Sequence, residues 1–347
     1  MKVLLFADLH MCPRASIINK WGTKYPVRLE NCIETVNWLE RLAEERHCDY
    51  IINLGDFFDK PDLSSETITA VQDIKWSNIM HYHLVGNHDA SNSSLIFNST
   101  NVLMTGNHSI ITEPQMLFLD DCDILFLPYI VECDRKPLEQ YLLDKNGKHF
   151  DTDKPRIVLS HNDISGIQLG PVMSRTGFTV EEIEANCRYW FNGHLHCGQA
   201  ITDKVINIGN ITGKDMGENS FKYNHCAVLI DTTSLEVTYI ENPYAFNFYK
   251  IQIETEADIS KLYSLKQRAV VSVKCDSSLT DQVKQIISEL SNIIESRIII
   301  TKKYDEVATE ASSIDLSVDH LARFIECCRT SIGASTLLEE ELAEICK

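Results

Sequence analysis

Short apolar runs rich in β-branched and aromatic residues recur at Val3 to Phe6, Tyr50 to Leu54, His83 to Val85, Ile124 to Leu127, Ile157 to Leu159 and Tyr189 to Phe191. Bounded by polar and turn residues, they predict buried strands. Between the first two, Leu29, Ile33, Val36, Leu39 and Leu42 recur every three or four positions, which predicts a helix over Val27 to Arg46 with one buried face. A shorter helix is predicted over Ser64 to Lys75, and the polar stretch Asp144 to Pro155 reads as an exposed loop. Alternation of strand and helix implies an α/β domain with layered sheets. Further strands are predicted at Lys204 to Ile208, Cys226 to Ile230 and Val237 to Ile240, before the composition changes near Asn242-Pro243. Beyond it, Ala269 to Val273, a helix through Gln282 to Ile294, and Arg297 to Thr301 predict a strand-helix-strand unit. The expected organisation is a large domain over 1–242, a small α/β domain over 243–313 and an acidic helical tail over 314–347.

Composition narrows the function. With 347 residues, 44% of them hydrophobic, the chain can bury one large core and a second small one. No apolar run approaches the roughly 20 residues of a spanning helix, and the apolar start is too short for a signal peptide, so a soluble cytoplasmic protein without membrane contact is expected. The 12 cysteines form no Cys-x-x-Cys pair and read as reduced core thiols; Cys12 and Cys197, beside motif histidines, read as small buried neighbours rather than added ligands and are left out of the site. A net charge of −18 argues against coating nucleic acid through the overall field. One segment opposes it: between Met11 and Leu29 stand Arg14, Lys20, Lys24 and Arg28 and no acidic residue, a candidate substrate-phosphate loop or simply a solvated one.

The chemistry is concentrated in motifs that begin where apolar strands stop: Asp8-x-His10, Gly55-Asp56-x-x-Asp59, Gly86-Asn87-His88-Asp89, Ser160-His161 and Gly193-His194-x-His196. A lone Asp-x-His is usually a hydrogen-bonded core histidine. A series of such motifs at consecutive strand ends instead predicts convergence in one crevice. Oxygen and imidazole donors without thiolates suit hard to borderline divalent ions.

The order of these motifs resembles that of the calcineurin-like metallophosphoesterases, and the resemblance covers roughly Met1 to Asn242. It implies a layered β-sandwich flanked by helices and two divalent metal ions, manganese first, with iron, magnesium or zinc as further candidates. Asp8, His10, Asp56 and His196 would hold one ion, and Asp56, Asn87, His161 and His194 the other, with Asp56 as the bridge. Two such cations activate water and offset phosphoryl charge during in-line attack. His88 would protonate the leaving alkoxide, with Asp89 holding its imidazole. Asp59 would serve the substrate, support the ligands or cap its loop.

Within the superfamily the chain is similar to the SbcD group of double-strand-break repair nucleases. Gly55-Asp56-Phe57-Phe58-Asp59 matches that group's aromatic-flanked motif, and Gly86-Asn87-His88-Asp89 ends in Asp where protein phosphatases carry Glu. The resemblance implies DNA as substrate, a capping domain over 243–313, a possible homodimer, and a tail over 314–347 that binds an SbcC-like ABC-type ATPase. Val318, Leu321, Ile325, Cys328 and Ile332 form an apolar stripe suited to that partner or to the chain's own small domain. Met11-Cys12-Pro13 departs from the group's Leu-Gly pair, and Gly209-Asn210 from its Gly-Ser step, leaving Asn210 to line the site. The rivals are a phosphodiesterase or phosphatase for nucleotides or other small esters, and an inactive partner-binding subunit.

Overall fold

The chain begins with β1 (Lys2–Phe6), whose alternate side chains go to opposite layers: Val3 and Leu5 into the centre of the molecule, Leu4 and Phe6 toward a helix. That helix, α1 (Val27–Arg46), ends at a left-handed His47 and lays Leu29, Cys32, Val36, Leu39 and Leu42 over β1 and β2 (Tyr50–Asn53). Each buried leucine contributes about 1.5–3 kcal/mol. The apolar face of α1 is thus buried in the chain's own core. After α2 (Ser65–Gln72) come β3 (Met80–Leu84) and β4 (His108–Ile111), and β1 to β4 run parallel in sequence order.

A second sheet is formed by β5 (Gln115–Phe118), β6 (Asp123–Leu127), β7 (Arg156–Ser160), β8 (Tyr189–Asn192), β9 (Gln199–Ala200) and β10 (Val205–Asn207), in the order β9-β10-β8-β7-β6-β5. Ile124, Phe126, Ile157, Leu159 and Phe191 from this sheet meet Val3, Leu5, Ile52, Leu54 and Leu84 from the first. The outer face, with Val158 and Trp190, is covered by Leu138, Leu142 and Ile183, the last from α3 (Val180–Asn186). Strands β11 (Cys226–Asp231) and β12 (Glu236–Glu241) return antiparallel to β1 and complete the first sheet. The result is the α/β sandwich flanked by helices that the motif order implied. A third sheet, all parallel, comprises β13 (Asn247–Ile253), β14 (Ala269–Asp276) and β15 (Ile293–Thr301), with α4 (Thr280–Glu289) packed on it through Val283 and Ile286.

This computed structural model describes residues 1–16, 18, 20–144, 146–148, 150, 153–169 and 172–301. The predicted tail over 314–347, and the last part of the small domain, lie outside them. Among the described residues no helix is long and apolar enough to cross a membrane.

Two differences from the sequence reading have physical causes. The helix predicted through Ile294 stops at Glu289 because Ile293 and Ile294 open β15. Strands β4 and β5 open on polar residues, His108-Ser109 and Gln115, and β13 intersperses Asn247, Lys250 and Gln252, so none is an unbroken apolar run. Histidines do much of that on β3 and β4: the rings of His81 and His83 stack on that of His108 at 4.2 and 5.3 Å, and His81 meets Glu40 of α1 at 2.8 Å.

Candidate metal centre

Parallel neighbours deliver their carboxyl ends to one edge, and the motifs sit there: Asp8 and His10 after β1, Asp56 after β2, Asn87 and His88 after β3, His161 after β7, His194 and His196 after β8. The chain must turn sharply at each strand end. Asp8, His10, Asp56 and His194 all have positive φ, between 45° and 74°. Non-glycine residues rarely adopt this region, and it clusters at functional sites. Two glycines make room. A Cβ on Gly55 would lie 2.2 Å from His161 Nδ1, and one on Gly86 would lie 2.1 Å from Asp56 Oδ1.

The structure brings the seven expected ligands together. His10 Nε2 is 2.9 Å from His196 Nε2, 3.9 Å from Asp8 Oδ1 and 3.7 Å from Asp56 Oδ2. On the other side, Asp56 Oδ2 is 3.3 Å from His161 Nε2, and Asn87 Oδ1 is 3.1 Å from His161 Nε2 and 3.0 Å from His194 Nδ1. Asp56 thus faces both groups through one oxygen.

The imidazole protons are committed elsewhere. His161 Nδ1 donates to the Leu54 carbonyl at 2.7 Å, and His194 Nε2 donates to Asp163 Oδ1 at 3.1 Å. Their other nitrogens therefore face the Asn87 oxygen, where lone pairs would suit a shared cation. Charge agrees. Burial and the neighbouring Asp56 carboxylate push Asp8 up to about 7, so the two carboxylates do not both ionise readily without a positive partner. Burial opposes charge on His161, yet Asp56 holds it up to about 9; a proton here occupies the place of a metal ion, and metal binding expels it. The donor set fits a pair of divalent ions.

His88 sits among them. One of its ring nitrogens lies within 4.8 Å of ligand atoms of His10 and Asp56, and its ring is edge-on to His10 at 4.8 Å. Its Nδ1 donates to the Asp59 carbonyl at 2.9 Å, which leaves Nε2 free. Asp89 does not orient His88 as expected. Its fully buried carboxylate accepts from the Phe58 and Gly86 amides at 2.9 and 3.0 Å, fastening the β2 loop to the β3 loop.

Three substrate-side expectations are also corrected. Arg28 is fully buried, because its guanidinium is the donor that satisfies the inward-facing carbonyls of Leu9, His10 and Gly213. Asn210 is buried too: its amide donates to Glu218 Oε1 at 2.6 Å, behind His196 rather than facing the crevice. Lys20 and Lys24 are exposed but neutralised, Lys20 by Glu295 at 3.2 Å and Lys24 by Asp73 at 2.5 Å. Arg14 stays exposed, and Asp59 stands at the centre, 3.4 Å from His10 Nδ1. Cys197 is exposed rather than a core thiol, and Cys12 is half-buried.

Some contributors carry no motif. Lys214 places its ammonium 2.7 Å from Asp59 and 3.3 Å from His10 Nδ1. Buried Glu218 lies 3.7 Å from His196 Nδ1. Asp163, two residues after His161, holds His194. Only Asp163 had a signal in the sequence, its spacing from that histidine.

Carboxylate, amide and imidazole donors converging at the strand ends of a two-sheet sandwich define a metal-dependent hydrolase. The family model of the calcineurin-like phosphoesterases matches residues 1–198, more than half of the chain, and the chain belongs to that family. Members of this family use a pair of divalent metal ions. No curated protein sequence matches the chain. Solved structures similar to it include a novel archaeal phosphodiesterase, at 14% identity over 70% of this chain and 99% of the other with a TM-score of 0.35. A dimetal phosphatase from Danio rerio is similar at 12% identity over 70% and 98%, TM-score 0.38. A nuclease named MPE from Pseudomonas putida is similar at 16% over 69% and 87%, TM-score 0.28.

Proposed function

We propose that the chain hydrolyses phosphodiester bonds in DNA, as an SbcD-like nuclease of recombination and repair. Asp8, His10, Asp56 and His196 hold one ion, Asp56, Asn87, His161 and His194 the second, and manganese is the native metal. Bound there, the ions supply a nucleophile at neutral pH and offset charge on the phosphoryl oxygens.

The observation that carries the reading is the setting of His88. With Nδ1–H fixed on the Asp59 carbonyl, Nε2 is the ring nitrogen left to give a proton to the leaving oxygen. Its backbone amide donates to Asp56 Oδ1 at 2.8 Å, so the acid and the bridging carboxylate are positioned together. Asp163 and the Leu54 carbonyl keep His194 and His161 in the tautomers that leave lone pairs for metal. Support for DNA comes from the aromatic-flanked Asp56 motif and the Asn87-His88-Asp89 sequence. On this reading the segment over 243–313 caps the DNA side, and the tail over 314–347 recruits an ABC-type ATPase that contributes the positive surface this chain lacks.

A second reading is favoured by the neutralised loop. With Lys20 and Lys24 paired and Arg28 buried, little free positive charge remains for a duplex, which suits a hydrolase of small phosphate esters. Digestion of duplex and single-stranded DNA with manganese, by wild type and His88→Ala, each with and without excess chelator, separates the two. Cleavage lost in both the variant and the chelated sample supports the nuclease. DNA left intact while a small phosphodiester is hydrolysed transfers the assignment to the second reading.

A further inference from the structure

Two clefts lie on the Asp59 side of the centre. The first, about 280 Å3, is lined by Met11, Pro13, Arg14, Asp59, Lys60 and Leu63 among others. The second, about 550 Å3, is lined by Pro13, Arg14, Trp21, Pro26 and Glu66. They share Pro13 and Arg14 and so adjoin, which marks out a path, hereafter the groove, from Asp59 to Trp21. Its direction has chemical meaning. Asp59 is the residue whose carbonyl anchors His88, and on the reading above His88 serves the leaving oxygen. The part of an ester that departs with that oxygen is therefore the part that lies along the groove.

Residues along it are poised for a ligand. Among the described residues nothing partners the side chains of Arg14, Lys60 or Trp21, whereas the neighbouring Lys20, Lys24 and Arg28 are all engaged. Trp21 is 70% exposed, more than any other large apolar side chain described. A single exposed apolar residue is ordinary. An exposed indole beside a free guanidinium, at the end of a groove leading from a phosphoester site, is the combination that holds unpaired nucleotides, by base stacking and phosphate pairing. Asp62 and Glu66 also line the groove, and Asp59 is paired with Lys214. The groove is thus close to neutral, which disfavours a duplex held by charge and leaves stacking to carry the affinity.

Resting on the phosphodiesterase reading above, we infer that this groove binds the single-stranded segment on the leaving-group side of the scissile bond, one base stacked on Trp21 and an adjacent phosphate on Arg14. The departing strand is held after cleavage as well as before it.

The test uses the full chain, an oligothymidylate and excess chelator, so that binding is read without turnover. Trp21 is one of four tryptophans; Trp190 is fully buried and Trp38 and Trp76 pack against the core, so fluorescence quenching on titration reports chiefly Trp21. We expect saturable quenching in the wild type. By anisotropy of a labelled oligonucleotide, affinity falls about tenfold in Trp21→Ala and in Arg14→Ala and is largely kept in Trp21→Phe. With metal restored, the ratio of kcat/KM on the oligonucleotide to that on a small chromogenic phosphodiester falls by a similar factor. Unchanged affinity and an unchanged ratio, in a wild type that cleaves the oligonucleotide, overturn the groove and leave the nuclease standing. Equal losses on both substrates overturn it too. A wild type that neither binds nor cleaves the oligonucleotide, yet hydrolyses the small ester, removes the DNA reading and the groove together.

Discussion

Replacing Arg28 separates a structural cation from a substrate contact. Its guanidinium donates to Leu9 O at 2.8 Å, Gly213 O at 3.0 Å, Asn31 Oδ1 at 3.1 Å and His10 O at 3.3 Å, with no exposure to solvent. Arg28→Met keeps much of the volume and takes the guanidinium donors from those buried acceptors, leaving Leu9 O with Thr212 Oγ1 at 3.3 Å, at about 1–3 kcal/mol for each strongly affected group. Relief from burying the charge returns part of that, so the net loss is about 3–5 kcal/mol, the range seen when one partner of a buried charged interaction is removed. The corresponding fall in Tm is roughly 10 °C, at about 2–4 °C per kcal/mol for a large domain. Urea denaturation at constant m reads the same loss as a lower midpoint. Arg28→Lys, which keeps the charge without the planar fork, should fall between. A phosphate contact predicts the opposite pattern: an unchanged midpoint and a salt dependence of DNA binding reduced by about one unit of slope. A loss below about 1 kcal/mol in Arg28→Met, by the mutational scale of buried hydrogen bonds, would refute the assignment of Arg28 as the clamp of the β1 loop.

Asp163→Ala frees His194 Nε2 and should weaken divalent metal binding by about 10–100-fold, measured by isothermal titration, with the circular dichroism spectrum unchanged. His88→Ala should lower kcat by about 10²–10⁴ while metal content by mass spectrometry stays at the wild-type level; a parallel loss of metal would make His88 a ligand. His83 and His108 are buried, and burial lowers both, His108 to about 4 from an ordinary 6.5. The unfolded chain then binds more protons as pH falls below about 6.5, so stability present at neutral pH is lost progressively toward pH 4. Urea midpoints from pH 7 to pH 5 should therefore fall less steeply in His108→Gln than in the wild type, and equal slopes would contradict the sign.

The convergence of the candidate ligands was legible because they are short-range punctuation: each follows an apolar run, and a strand end fixes where such a residue goes. Arg28 shows where that reasoning stops. In the sequence it belongs to a basic segment without acids, but helix α1 starts at Val27 and turns this one side chain inward, while Asp73 and Glu295, distant in sequence, neutralise Lys24 and Lys20. Asp89 is a similar case, since two amides from neighbouring loops claim the carboxylate before His88 can. Lys214 and Glu218 reach the site through a loop after β10, and only the fold brings that loop back. Strand β13 alternates buried and exposed residues from Tyr249 to Ile253, a period-two pattern that a reading based on unbroken apolar runs passes over.

The candidate metal centre draws its donors from both halves of the sandwich: Asp8, His10, Asp56 and Asn87 stand on one sheet, His161, His194 and His196 on the other. Ions held there would act as rivets between the sheets as well as reagents. Because they bind the folded chain and not the unfolded one, loading at a hundred times the dissociation constant adds about 2.7 kcal/mol to stability. Metal supply in the cell would then set how long each molecule survives as well as how fast it works, and starvation for the ion would deplete the protein itself. A chelator-induced fall in Tm that manganese reverses is the signature of that coupling.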